Sequence, residues 1–265
     1  MTGNQTVLIT GASSGIGRDL AVLFAEQHYN LVLVARSELI LQDLAQQLEK
    51  QHNIVSTVIA KDLSELGAAK VIFDVLKQKN IVIDILINNA GFGTYGEFHE
   101  TPLAETQNML AVNITALTEL TYLLLPGMLV KKSGKIMNVS SLAAFQACPY
   151  MAVYAATKAY VLSFSEALTE ELKGMGVSVT SFCPGVTLTG FQERTKTQNT
   201  RIVKNQMNTM TSKQAAEIAF AAMMRNKPFV ISGVMNNILA VFAKWMPRRM
   251  NAKLAGYLMR LERDS

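Results

Sequence analysis

A chain of 265 residues that is 49% hydrophobic and only 17% charged has ample apolar material for a packed core, which excludes a disordered polypeptide. Two cysteines exclude a disulfide-stapled scaffold, and three histidines (His28, His52 and His99) lie too far apart for a local metal-ligand motif. The net charge of +5 is unevenly placed: residues 1–189 carry 12 Lys+Arg against 16 Asp+Glu, and residues 190–265 carry 13 against 4.

Apolar runs alternate with helical patterns along the chain. Val7–Thr10 reads as a strand ending at Gly11, and Ile16, Leu20, Leu23 and Phe24 follow at the spacing of one helix face. Leu31–Ala35 is a second strand, Leu41, Leu44 and Leu48 mark a helix, and Ile54–Ala60 is a third strand. Ala68, Val71, Ile72 and Val75 mark the next helix, and the strand Ile81–Ile87 runs into Asn88-Asn89-Ala90-Gly91. One long helix is expected over about 102–129, then a strand at Lys135–Ser140, a helix over about 153–173 and a strand at Val177–Phe182. A helix near 212–224 and a last apolar run, Phe229–Ser232, complete the alternation. Continuous Val/Ile/Leu strands separated by helices imply a parallel sheet covered on both faces. The fold expected is α/β, a doubly wound parallel sheet of Rossmann type, in one domain that spans the chain. The polar segment 186–211 is an insertion, and a C-terminal helical extension begins at Val234. Only six residues, none of them Lys or Arg, precede the run at Val7, and no unbroken apolar stretch of spanning length occurs. Neither a secretory leader nor a membrane-spanning helix is expected, and the location expected is cytoplasmic.

Thr10–Gly17 reads TGASSGIG, between the first strand and the first helix. Glycines at 11, 15 and 17 allow a tight turn whose backbone N–H groups approach a pyrophosphate, aided by the helix N-terminus. In that strand–turn–helix setting the turn reads as a dinucleotide site. The second strand ends Val34-Ala35-Arg36-Ser37, without the carboxylate that would accept from an NAD ribose. Arg36 can instead pair with a 2′-phosphate, which points to NADP(H).

Tyr154 and Lys158, at i and i+4, share one helix face. Ser140-Ser141 closes a parallel strand, where open α/β sheets keep their sites. With these elements in order, the chain over about residues 5–233 resembles the short-chain dehydrogenase/reductase family. The resemblance rests on TGASSGIG, on Asp62, on Asn88-Asn89-Ala90-Gly91, on Asn113, Ser141, Tyr154 and Lys158, and on Pro184-Gly185 with Thr189. It implies cofactor contacts from Gly11, Ser13, Ser14, Gly15, Ile16 and Gly17 in the turn, and from Asp62 with Leu63 beside the adenine. It implies further contacts from Asn89, Ala90 and Gly91, and from Pro184, Gly185, Val186, Thr187 and Thr189 near the nicotinamide. It also implies a catalytic set of Asn113, Ser141, Tyr154 and Lys158. Ala116 and Ala144 stand where many relatives have glycine.

The chemistry fits hydride transfer to a ketone, which builds negative charge on oxygen and needs a donor beside it. Tyr154 would be that acid/base, with Lys158 lowering its pKa and, by resemblance, holding the nicotinamide ribose. Ser141 would bind the substrate oxygen, and Asn113 would hold a water leading from Lys158 to solvent. The activity expected is interconversion of a ketone and a secondary alcohol. The alternative is a non-catalytic NADP(H)-binding sensor or scaffold, against which an intact tetrad argues. No nucleic-acid motif accompanies the high pI.

Segment 186–211, with Glu193, Arg194, Lys196, Arg201 and Lys204, reads as a mobile lid over the substrate. Phe92, Phe145, Tyr150, Phe191 and Met207 are expected to line an apolar pocket suited to a bulky or acyl ketone. Cys148 reads as a packing residue. Relatives commonly form dimers or tetramers through the helices placed here at 102–129 and 153–173, so a homodimer or homotetramer is expected. In the tail, Val234, Ile238, Val241, Phe242 and Trp245 make one apolar helix face, followed by Lys244, Arg248, Arg249, Lys253, Arg260 and Arg263, with Pro247 as a break. The favoured reading packs that face over the substrate cleft or a sister subunit. The competing one rests it on anionic lipid, with the protein peripheral at a membrane surface.

Overall fold

The structure, a computed structural model, describes residues 5–195, 197, 199–204 and 209–260. Six strands are β1 (Thr6–Thr10), β2 (Asn30–Ala35), β3 (Ser56–Ala60), β4 (Ile85–Asn88), β5 (Gly134–Val139) and β6 (Val177–Cys183). The short strands β7 (Thr187–Leu188) and β8 (Met210–Thr211) precede β9 (Phe229–Ile231). Seven of them form one parallel sheet in the order β3-β2-β1-β4-β5-β6-β9. The chain winds outward from β1 in one direction and then from β4 in the other. This places a topological switch point between the carboxyl ends of β1 and β4, where such sheets bind ligands.

Both sheet faces are apolar because successive strand residues point to opposite sides. Val7, Ile9, Leu31, Leu33, Ile85 and Ile87 enter a core under α1 (Gly15–Glu26), α2 (Glu38–His52) and α9 (Ser212–Met224). Leu8, Val32, Val34, Leu86 and Ile136 enter a second core under α3 (Ala68–Gln78) and α5 (Leu117–Lys131). A capping box starts α9, with the Thr211 hydroxyl accepting from the Gln214 N–H at 3.2 Å. Between the cores, Asn88 donates to Thr121 Oγ1 at 3.1 Å and to Asn138 Oδ1 at 2.9 Å, and Asn138 donates to Ser165 Oγ at 2.9 Å. This buried polar chain fixes β4, β5 and the helices α5 and α6 (Ala152–Glu171) in one register.

Three elements differ from the sequence expectation. The fourth strand starts at Ile85, because the Ile81 N–H closes the end of α3 on the Leu76 carbonyl at 2.9 Å. The expected single helix over 102–129 is α4 (Leu103–Leu110), a π turn at Ala111–Ala116, and α5. Residues Leu103–Lys131 are together long and apolar enough to cross a membrane by length and composition, which no unbroken run had indicated. Here, however, that helix buries Met109, Asn113, Leu117, Leu120 and Leu124 against the rest of the fold, as the core helix of a wound sheet does. Segment 186–211 is pinned at its base by the β7–β8 pair and carries α7 (Phe191–Thr195) and α8 (Arg201–Lys204). The tail forms α10 (Val234–Trp245) and α11 (Arg248–Met259), separated at Pro247 as its sequence predicts.

Candidate active site

The carboxyl ends of β1, β4, β5 and β6 open into one cleft of about 550 Å³. At its floor, Gly11 has φ +67°, and a Cβ there would lie 2.8 Å from Asn89 Nδ2. A Cβ on Gly17 would lie 2.4 Å from the Gly11 carbonyl oxygen. Only glycine lets this turn fold so tightly. Asn89 holds it from the next strand, donating Nδ2 to the carbonyls of Thr10 and Gly11 at 2.9 and 3.2 Å. The Thr10 hydroxyl accepts in return from the backbone N–H of Asn89 and Ala90, both at 3.0 Å. Ser14 precedes α1 without a side-chain capping bond, so the first-turn donors of α1 remain available to an anion.

At the far end, Arg36 reaches out from β2 with its side chain 62% exposed, 4.0 Å from Asp62. Burial raises the Asp62 pKa, but Ser64's backbone and hydroxyl bonds, then Arg36 and Arg194, bring it net below the ordinary carboxylate value. Arg194 of α7 lies over the Phe92 ring at 4.3 Å. It is pushed down by burial first and by Arg36 second. Two cations therefore converge beside one carboxylate, a donor set suited to a phosphorylated adenosine. With the glycine cradle, the residues present fit a nicotinamide dinucleotide.

Tyr154, Lys158 and Ser141 meet at the opposite end of the cleft. Ser140 and Ser141 separate cleanly. The Ser140 hydroxyl is buried and donates to the Lys158 carbonyl at 2.7 Å, tying β5 to α6. Ser141 instead lines the cleft with Tyr154, its hydroxyl accepting from the Ala143 N–H at 3.1 Å. Lys158, 4% exposed, donates to the Val139 carbonyl at 2.8 Å. Its Nζ and Asn113 Oδ1 flank Gly91, where a Cβ would lie 3.1 and 3.2 Å from them. Asn113, buried in the π turn, accepts from the Phe92 N–H at 3.1 Å and donates to the Phe92 carbonyl and Thr157 Oγ1 at 2.9 and 3.0 Å.

The electrostatics depart from expectation. Lys158 does not lower Tyr154 in this arrangement. Burial raises the phenol to about 12, with the neighbouring Ser141 opposing, and lowers the Lys158 ammonium to about 8. The cause is geometric: Nζ points to the Val139 carbonyl and stays 5.9 Å from the Tyr154 ring centroid, so desolvation outweighs the attraction. Burial also raises the Cys148 thiol to about 11, in keeping with a packing residue rather than a nucleophile.

Most of the expected site residues line this cleft: Gly11, Ser13–Ile16, Arg36, Asp62, Leu63, Asn89–Gly91, Ser141, Tyr154, Lys158, Pro184–Thr187 and Thr189. Gly17 and Asn113 stand behind its wall, where they position the turn and the Phe92 strand end. Among the expected pocket residues, Phe92 and Phe191 line the cleft, and Phe191 lies 5.3 Å from the Tyr154 ring. Phe145 packs instead on Phe229 in a separate core cluster, because the short helix after Ser141 turns it away. Tyr150 stacks on Tyr95 behind the wall. Lys196, Met207 and Arg263 lie outside the described residues, as do the side chains of Lys204 and Lys244. The sequence reading missed Met151 and the α11 residues Ala255, Leu258 and Met259. Their only signal was the small stripe Asn251, Ala255, Met259 at i, i+4, i+8, hidden beside a larger apolar pattern.

Comparison with known proteins accords with this geometry. Residues 5–200 match the short chain dehydrogenase family model. The chain is 33% identical to the ketoacyl reductase HetN of a Nostoc species over 91% of its length and 83% of that protein. It is 29% identical to the mouse very-long-chain 3-oxoacyl-CoA reductase, over 91% of this chain and 77% of that one. Among solved structures, a short-chain dehydrogenase from Sphingobium yanoikuyae in complex with NADPH superposes with a TM-score of 0.80 at 29% identity, covering 92% of this chain and 97% of that one. The chain therefore belongs to the short-chain dehydrogenase/reductase family, and it is an oxidoreductase of CH–OH and keto groups that uses a nicotinamide cofactor.

Proposed function

We propose that the protein is an NADP(H)-dependent reductase of bulky, acyl-like ketones, with Tyr154 as its acid/base. The observation that carries the reading is the convergence of Tyr154, Ser141 and Lys158 in the same cleft as the glycine turn and Arg36. The bound nicotinamide supplies or receives the hydride. Tyr154 donates its proton to the developing alkoxide, and Ser141, which lines the same cleft, hydrogen-bonds the same oxygen. Lys158 holds the ribose side of the cofactor and places a positive charge behind the phenol. Asn113 is a positioning residue, setting Phe92 and Thr157 and through them the two walls around Lys158. Gly11 and Ser13–Gly17 cradle the pyrophosphate, Asp62 and Leu63 border the adenine, Asn89–Gly91 form the floor, and Pro184–Thr187 with Thr189 border the nicotinamide. Segment 186–211 acts as the lid, bringing Phe191 over Tyr154.

Arg36 selects the phosphorylated cofactor, supported by its exposure at the end of β2 and by the NADPH in the Sphingobium structure. The apolar walls from Phe92, Met151, Phe191 and Met259 suit an acyl-like substrate, in keeping with the ketoacyl and 3-oxoacyl reductases among the relatives. Self-association through α5 and α6 is part of the same reading, to be checked by sedimentation. The test is kcat/KM for NADPH and NADH over a panel of small, steroid and 3-oxoacyl ketones, with Arg36→Ala alongside. NADPH is expected to win by about tenfold or more and to lose that lead in Arg36→Ala. Equal use of NADH would overturn the cofactor assignment, and activity confined to small ketones would overturn the substrate class.

A further inference from the structure

The tail is folded inside out relative to its sequence pattern. On α10 the large side chains face solvent, with Val234 81%, Phe242 62% and Trp245 84% exposed. Among the described side chains of this helix, only Asn236 and Ala240 are buried. Asn236 packs against Gly185 and donates to the Ser232 carbonyl at 2.7 Å. On α11 the inner stripe is Asn251, Ala255 and Met259, while Met250 and Leu254 are exposed. Asn251 donates to the Ala243 carbonyl at 3.1 Å, joining the helices into one unit. This unit presents a continuous apolar patch, beyond the scattered exposed residues of an ordinary surface.

The same unit is strongly basic. Arg248, Arg249, Lys253 and Arg260 are exposed on it, and no Asp or Glu occurs between Glu217 and Glu262. We infer that α10 and α11 dock the protein in the interface of an anionic lipid bilayer, Phe242 and Trp245 entering the acyl boundary while the arginines meet lipid phosphates. Two observations favour lipid over a second copy. An isologous contact would bring these cations against their own copies, and the segment holds no carboxylate to offset them. A bilayer offers both hydrocarbon and anions. At 12 residues, α10 is about 18 Å long, too short to cross a hydrocarbon core of about 30 Å, so it lies in the plane.

The docking face backs directly onto the cleft, since Ala255, Leu258 and Met259 line the cavity that holds Tyr154. If the substrate is acyl-like, as proposed above, it enters from the bilayer. The docking itself does not depend on that reading. Trp245 is the single tryptophan of the chain, so its fluorescence reports on this face alone. The full chain is titrated with phosphatidylcholine vesicles and with phosphatidylcholine vesicles containing phosphatidylglycerol, following emission and co-sedimentation. A blue shift and co-sedimentation with the anionic vesicles are expected, weakened about tenfold or more in Arg248→Glu/Arg249→Glu. That variant should keep the wild-type Tm and NADPH affinity, so loss of docking is separable from misfolding and from failure of the cofactor reading. Equal binding to neutral vesicles, no binding to either, or burial of Trp245 through concentration-dependent dimerisation would each overturn the inference.

Discussion

Lys158 occupies a position that costs the fold stability, and replacing it with methionine isolates that cost. An ammonium held near pKa 8 against its ordinary 10.5 loses about 3 kcal/mol at neutral pH relative to a neutral side chain. Methionine keeps the length and apolar volume but removes the bond to the Val139 carbonyl, whose loss costs about 1–2 kcal/mol. The net expectation for Lys158→Met is a gain of about 1–2 kcal/mol, or roughly 4 °C in Tm for a chain of this size, together with loss of reductase activity. The pH dependence carries the sign. Below pH 8 the lysine is charged in both folded and unfolded states, and the full cost is present. Between 8 and 10.5 the folded protein loses this proton while the unfolded chain keeps it, so wild-type stability recovers. Urea unfolding of both proteins at pH 7, 9 and about 10.5 should show the variant's advantage shrinking across that window. A variant no more stable at pH 7, or with an advantage independent of pH, refutes the reasoning.

Four further outcomes follow from the site. Tyr154→Phe should lower turnover by about a hundredfold or more while leaving NADPH affinity by calorimetry unchanged, and retained turnover would remove Tyr154 from the acid role. For ketone reduction, log kcat/KM should be level below pH 8 and fall above it as Lys158, near 8 in the free protein, loses its charge; a profile rising through that pH contradicts the role given to it. Gly17→Ala puts a methyl 2.4 Å from the Gly11 carbonyl oxygen, so it should cost about 1–3 kcal/mol and abolish dinucleotide binding in a fluorescence titration. Cys148, with its thiol near 11, should hold about one thousandth of its population as thiolate at pH 8 and resist iodoacetamide until unfolded.

The parts of this molecule governed by local rules could be read before any coordinates. Unbroken apolar runs such as Leu31–Ala35 are buried on both faces, and a strand that must be apolar on both sides announces a parallel sheet. TGASSGIG and the pair Tyr154 and Lys158 were legible through their setting, between strand and helix and on the helix after Ser141, and through the family resemblance that this setting supports. What escaped depends on which neighbour a side chain meets. Phe145 looked like a pocket residue by proximity to Ser141, yet a single short helix sends it to Phe229. The apolar stripe of α10 was correctly placed on one face, but the stripe that faces inward is the inconspicuous one of Asn236 and Ala240. Periodicity identifies a face without saying whether protein covers it. The Tyr154–Lys158 spacing likewise fixed proximity without fixing that Nζ turns toward Val139.

The π turn at Ala111–Ala116 has a bearing on which changes this helix can absorb. A π turn accommodates one residue more than α geometry would, so α4 and α5 keep their faces in phase while the sequence numbering between them is offset by one. Asn113 sits on the offset itself, and the residues beyond it, Leu117, Leu120 and Leu124, are phased to the sheet. Each helical residue advances the face by about 100°. Deleting one residue between 111 and 116 would therefore return the segment to regular α geometry with both flanks in place, at the cost of the position of Asn113, whereas a deletion in α4 or α5 would swing either the site or the core contacts by about that angle. The turn is thus the one stretch of this helix that can give up a residue and keep its core contacts, so a deletion at Ile114 should leave the fold standing with a disturbed Asn113, where a deletion at Thr118 in α5 should not.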